Sequence, residues 1–265
     1  MNALRFTSPF ELIPGDPATG VVLIADHAKR ALPEAYGALG LPASEFERHI
    51  AYDIGVEMVT RTLSAKLGVP AVLGGFSRLL IDPNRGINDP TLIRQIYDGT
   101  IIPGNYPLSP EERQNRIDQF YRPFHDAVAA AVDGVEKAIG GAPLIIAIHS
   151  FTPSLLGRKR PWEVGILWDI DNRAASPLIE TLRADGELTV GDNEPYDGAY
   201  PGDTMHQHAT TRGFPYALVE IRQDLIAGQD GAIGWAERLS LMVEAINARP
   251  DIHQVKHFGS RTEHM

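Results

Sequence analysis

Side chains able to do acid–base or metal chemistry collect at the ends of apolar runs along this chain. His27 follows Val21-Val-Leu-Ile-Ala25, His149 and Ser150 follow Pro143 to Ile148, and Glu220 lies within Ala217-Leu-Val-Glu-Ile221. Arg78 and the turn Asp82-Pro-Asn-Arg85 follow the run that begins at Val69. In open α/β sheets ligands bind beyond the carboxyl ends of the strands, so residues at several strand ends converge on one edge. Two histidines and a carboxylate are a natural set for Zn²⁺, with one position left for water. The metal brings the pKa of that water to about 7, and a nearby glutamate can take its proton. Arginines beside such a centre can anchor a substrate carboxylate or oppose a developing oxyanion. The sequence has 0 cysteines, which excludes thiolate ligands, a Cys nucleophile and any disulfide framework.

Each of these residues also has a plainer reading. A histidine after a strand commonly serves as a hydrogen-bonded turn residue, and Asp82 and Arg85 can pair across their own turn. His49 and Asp53, one helical turn apart on one face, can pair structurally. His125, inside a long helical pattern, reads as structural. His206-Gln-His208 has the alternation of some metal sites but lies in a polar segment between Gly202 and Gly213, which predicts exposed side chains. Glu220 differs, because a carboxylate flanked by apolar residues is costly to bury without a partner.

The elements that must position these groups alternate between short apolar runs and helical patterns, the mark of an α/β protein. Strands are predicted at Val21–Ala25, Val69–Leu73, Pro143–Ile148, Val164–Trp168 and Tyr216–Ile221. Helical spacing runs from Ser44 to Leu67, with Ser44 and Glu47 as a capping box and Gly68 as the stop. Ser109-Pro-Glu-Glu opens a helix to about Ile139 by its serine cap, first-turn proline and acids. Further helices are predicted at Ala174–Ala184 and Gly231–Ala248. The Pro- and Gly-containing loop Ile87–Leu108 is long enough to edge a site. Together with the segment around Gly191–Asp203, it is expected to set the size of the pocket. The reading is one domain over residues 1–252 and a polar tail over 253–265, the tail holding His253, His257 and His264.

The composition bounds the function. Of 265 residues, 43% are hydrophobic and 22% charged, ordinary for a globular protein. The balance of 24 Lys+Arg against 34 Asp+Glu gives a net charge of -10, which argues against a general nucleic-acid binder. There is no basic-then-apolar start and no apolar stretch of roughly 20 residues, so neither a signal peptide nor a membrane span is expected, and the default location is the cytoplasm. Gly75-Phe-Ser77-Arg-Leu79 falls short of a nucleophile elbow because Leu79 replaces the closing glycine. Phosphate-loop, dinucleotide and helical zinc-protease signatures are absent.

The ordered set Asp26-His-Ala28, His49-Ile-Ala-Tyr-Asp53, Ser77-Arg-Leu-Leu-Ile-Asp-Pro-Asn-Arg85, His149-Ser-Phe-Thr-Pro153 and Val219-Glu-Ile-Arg-Gln-Asp-Leu-Ile226 resembles the N-formylglutamate amidohydrolase family, from about Val21 to Ile226. That family is similar to zinc carboxypeptidases and related deacylases. The resemblance implies a single α/β domain of the carboxypeptidase-like, phosphorylase/hydrolase-like kind, with a mixed, mostly parallel sheet and helices on both faces. It implies Zn²⁺, or another divalent transition metal, on His27 and His149, with Glu220 as general base. Asn84 and Arg85 would bind a substrate carboxylate, joined by Arg78, Arg222 and His208. Arg30 stands where the carboxypeptidases carry a glutamate ligand, and a guanidinium cannot ligate zinc. Asp53, on the following helix, is assigned as the third ligand because its segment resembles the family's own pattern, with Glu47 and His49 as alternatives and Asp26 as a partner behind the ligands. The implied reaction is hydrolysis of an N-acyl, in particular N-formyl, acidic amino acid, a small anionic substrate. A carboxypeptidase-like peptidase or another N-acyl-amino-acid deacylase is the alternative, and a metal-free anion-binding protein a further one.

Overall fold

The computed structural model describes residues 6–155 and 157–264, with the His264 side chain outside that description. Among the described residues eleven strands form in chain order: β1 (Phe10–Ile13), β2 (Val21–Ala25), β3 (Ala71–Gly74), β4 (Ile96–Tyr97), β5 (Thr100–Ile101), β6 (Leu144–Phe151), β7 (Ser154–Leu155), β8 (Arg158–Lys159), β9 (Val164–Leu167), β10 (Val190–Asp192) and β11 (Tyr216–Arg222). The helices are α1 (Val56–Leu67), α2 (Pro110–Arg116), α3 (Arg122–Ile139), α4 (Ala175–Ala184), α5 (Thr204–His208) and α6 (Gln229–Asn247). Seven strands make one sheet in the order β1-β3-β2-β6-β11-β9-β10. Neighbours from β3 to β11 are parallel, β1 runs antiparallel to β3, and β9 antiparallel to β11. The sheet is thus mixed and mostly parallel, as expected.

Central strands buried on both faces read as continuous apolar runs, and alternation divides their side chains between two cores. Val21, Leu23, Ile146, Ile148 and Val219 pack with α1, α4 and α6 on one face. Val22, Ile24, Ile145, Ala147 and Leu218 pack with Phe124, Val128 and Val132 of α3 on the other. His149 and Glu220 continue the second set by parity. They are paired directly across β6 and β11, so the register itself sets imidazole beside carboxylate.

The helix expected over Ser44–Leu67 is broken. A 3₁₀ turn spans Ala43–Glu47 after Pro42, with no side-chain cap, and α1 starts only at Val56. Gly55 has φ +88, and a Cβ there would lie 2.2 Å from the Ile226 carbonyl oxygen, so the chain turns at that point where only glycine fits. His49 and Asp53 therefore lie in a non-helical segment, docked by Asp53 N donating to His27 O at 2.9 Å. Ser109 caps α2 through Glu112 N, and a π turn over Ile117–Tyr121 separates α2 from α3. Sequence reading misses β1 and β10 and expects no hairpin in the 87–108 loop.

The segment from 253 does not run free. The His253 ring bonds Ala142 O at 2.9 Å, Lys256 N donates to Gly213 O at 2.9 Å, and Arg261 pairs with Asp169 and Asp197. No helix among the described residues is long and apolar enough to cross a membrane.

Candidate active site

A cavity of about 700 Å³ opens at the carboxyl ends of β2, β6 and β11, and His27, Asp53, Arg78, Asn84, Arg85, His149 and Glu220 all line it. At its floor Asp53 is the hub. Its Oδ2 is 3.0 Å from His149 Nδ1 and 3.5 Å from His27 Nδ1, and it accepts from Ser150 N at 3.3 Å. Its Oδ1 meets the Arg78 guanidinium and lies 3.4 Å from His49 Nδ1. All of these groups except His49 are more than nine-tenths buried.

Each of the two strand-end histidines turns Nδ1 toward Asp53 and is held at Nε2 by another carboxylate. His27 Nε2 is 2.7 Å from Asp82 Oδ1, and His149 Nε2 is 3.0 Å from Asp26 Oδ2. A carboxylate at Nε2 fixes the proton there and leaves the Nδ1 lone pair for the interior. Asp26 is itself steadied by the Thr204 hydroxyl at 2.9 Å, and Asp82 caps Asn84 N at 3.0 Å. Asp82 thus serves His27, and no ion pair with Arg85 across the turn forms.

The ligand atoms of His27, Asp53 and His149 all lie within 4.8 Å of one another, and His27 Nδ1 has no hydrogen-bond partner. Two imidazoles backed by carboxylates, plus one further carboxylate, fit a divalent transition cation. Burial and the Arg78 charge hold the His27 imidazole down at about 4, so it is neutral at physiological pH, as a ligand must be. Burial alone would lower His149 too, but the hydrogen bond and charge of Asp26 raise it.

Glu220 sits beside this cluster with Oε2 buried and unpartnered. Burial pushes its carboxyl above the ordinary range, against the pull of His149 and Arg78. A carboxylate so placed is ready to accept and return a proton.

Several expectations need correction. Arg222 does not reach the cavity: neighbouring carboxylates take it, Glu163 and Asp224, each at 2.9 Å. His208 lies in a second, more open cavity of about 980 Å³, with Tyr121, Tyr200 and Gln207. It is buried rather than exposed, because α5 aims it at α3, where its Nε2 is 3.0 Å from His125 Nδ1. Glu47 reaches the cavity rim but pairs with Arg30, which lies over the Tyr52 ring at 5.3 Å. Arg78 meets Asp53 rather than standing free for a substrate carboxylate.

The Asn84–Arg85 turn is gripped from behind. His125 Nε2 donates to Pro83 O at 3.0 Å, and Tyr121 OH to Arg85 O at 2.8 Å. Tyr121 closes the π turn, and such turns often re-aim side chains at functional sites. Sequence reading also misses Arg94, Tyr97, Tyr196 and Tyr200, which line the cavity from the two loops expected to edge it. The only signal in the chain is that arginine and tyrosine recur within otherwise polar, Pro- and Gly-containing loops.

The profile of the N-formylglutamate amidohydrolase family matches residues 19–227. A crystal structure of a gene product from Agrobacterium tumefaciens is 34% identical, covers 91% of this chain and 98% of its own, and superposes with a TM-score of 0.83. That of N-formylglutamate amidohydrolase from Ralstonia eutropha is 24% identical, covers 91% and 97%, and gives 0.70, a likeness of fold. N-formylglutamate deformylase from Pseudomonas putida is 27% identical over 157 residues, 54% of this chain and 57% of that relative, so the match spans little more than half of its length.

Proposed function

The chain belongs to the N-formylglutamate amidohydrolase family, and from that premise we propose that it hydrolyses the amide bond of an N-formylated acidic amino acid such as N-formylglutamate. The observation that carries this reading is the placement of Glu220, with a buried unpartnered oxygen, beside the His27–Asp53–His149 cluster. A cation held by those three residues, in our reading Zn²⁺, would supply the Lewis acid that polarises the formyl carbonyl and acidifies water.

Glu220 takes a proton from the attacking water as its oxygen bonds to the formyl carbon. It then delivers that proton to the amine nitrogen as the C–N bond breaks, so formate and the free amino acid leave. Burial lifts Glu220 toward the pH at which it can do both. Arg78, on Asp53 at the cavity floor, opposes negative charge gathering on the carbonyl oxygen. Asn84 and Arg85 orient the substrate through its carboxylate. Their turn also carries Asp82, the support of His27, so substrate anchor and reaction centre share one rigid piece of chain.

Formate release from N-formylglutamate tests the reading, with and without chelator. Glu220→Gln should lower kcat by about 10²- to 10⁴-fold with the fold intact. Unchanged activity in that variant would remove the proposed base. The volume of about 700 Å³ favours a second reading, a deacylase for larger N-acyl amino acids. Faster turnover of acetyl or succinyl analogues than of the formyl compound would select it.

A further inference from the structure

Four arginines reach the cavity, and their partners divide them into two kinds. Arg48 is matched by Glu45 at 2.5 Å and Asp98 at 2.9 Å, and Arg78 by Asp53. Arg85 and Arg94 meet no carboxylate within ion-pair distance among the described residues. Each instead lies over a tyrosine ring, Tyr200 and Tyr97 respectively, with 4.6 Å from guanidinium carbon to ring centroid. Each also has a buried Nε without a hydrogen-bond partner. Arg85 spends one Nη1 hydrogen bond on Asn84 O at 2.6 Å, but a guanidinium stacked on an aromatic face keeps its remaining edge donors available and its rotamer fixed, the preparation that suits a planar carboxylate.

Arg94 is carried on a fixed backbone. Asn105, fully buried, donates through Nδ2 to Arg94 O at 2.7 Å and to Leu79 O at 2.8 Å. Its Oδ1 in turn accepts from Arg116 at 2.6 Å. The loop that presents Arg94 is thereby tied to the segment just before the Asp82–Arg85 turn. A protein of net charge -10 that leaves two cavity arginines with no carboxylate at ion-pair distance has prepared a local field for two negative groups.

We propose that Arg94 binds the side-chain carboxylate of the substrate while Arg85 binds its α-carboxylate, so that Arg94 selects dicarboxylate over monocarboxylate substrates. This rests on the deacylase reading above. The assignment of the two groups follows from position. The α-carboxylate is attached to the carbon that bears the scissile nitrogen and must lie near the centre, where the turn of Arg85 holds His27 through Asp82. The side-chain carboxylate then falls to Arg94, the other lining arginine with no carboxylate at ion-pair distance.

The test compares N-formylglutamate with its neutral isostere N-formylglutamine in the wild type and in Arg94→Gln. Losing a charged hydrogen-bond partner should cut kcat/KM for N-formylglutamate by about 10- to 100-fold, mostly through KM, and that for N-formylglutamine far less. Arg94→Lys should recover part of the loss. An equal fall for both substrates, or an unaltered preference, would overturn the proposal. Calorimetry with glutarate and butyrate separates this from the reaction itself. Tighter glutarate binding to wild type than to Arg94→Gln, with butyrate alike for both, supports the subsite even if no formyl compound is hydrolysed. Equal glutarate binding by both proteins would reject it.

Discussion

His27 and His149 lie with ring centroids 5.2 Å apart at 77°, and His125 and His208 lie 5.2 Å apart at 17°. Both pairs are buried, and both join distant parts of the chain. What differs is the company they keep. The first pair has a carboxylate at each Nε2 and shares Asp53 at Nδ1. The second pair has a backbone carbonyl and each other. His125 donates to Pro83 O from Nε2, so its Nδ1 accepts from His208 Nε2–H, and the chain of donors ends in neutral rings. Asp26 raises His149 in the first pair while burial and Arg78 lower His27, whereas burial lowers both rings of the second. Two histidines close together are thus no metal site by themselves; the groups behind them decide.

The largest effect that would break this contrast is on turnover. His27→Ala should lower kcat on N-formylglutamate by more than about 10³-fold, since it removes a ligand to the proposed cation. His125→Ala should act mainly through KM, because it frees the back of the Asn84–Arg85 turn and the His208 ring but removes no proposed ligand. Equal loss of kcat in the two variants would erase the distinction. A smaller effect is expected behind the ligands. Asp26→Asn keeps the shape at His149 Nε2 but removes the charge, and should weaken metal affinity by about 10- to 100-fold. Competition with a chromogenic chelator measures it, and unchanged affinity would deny Asp26 its supporting role.

The smallest expected effect is on stability. Burial and the neighbouring His125 hold His208 at about 4. Between its ordinary value near 6.5 and 4, the unfolded chain binds a proton that the folded one does not. Stability from this residue is therefore full above 6.5 and falls as pH drops through that window, by up to about 1.4 kcal/mol per pH unit. Urea unfolding of wild type and His208→Asn between pH 6.5 and 4.5 should show a shallower slope in the variant. Identical slopes would mean that the second pair is not kept neutral by the fold.

The sequence makes one half of this contrast readable and hides the other. Strands β2, β6 and β11 stand out because strands buried on both faces are continuously apolar, and His27, His149 and Glu220 lie at or just beyond their ends. Asp53 is placed only by resemblance to a family segment. Its own spacing from His49 suggests a helix, which the left-handed Gly55 and the docking of Asp53 N on His27 O prevent. His208 looks exposed because its helix is five residues long and surrounded by polar residues, yet α5 turns it onto α3. Arg222 belongs to the family-like segment, but its position at the end of β11 delivers it to Glu163 and Asp224. Arg94 and Tyr97 come from a loop whose conformation depends on Asn105 and Arg116, contacts that no local pattern encodes.

In the proposed mechanism His27 and His149, and not His125 and His208, hold a cation with Asp53. Elemental analysis of zinc-supplemented, desalted wild type, His149→Ala and His208→Asn tests it most directly. One equivalent of metal is expected in the wild type and in His208→Asn, and almost none in His149→Ala. A wild type without bound metal, or metal lost with His208 and kept without His149, would contradict it.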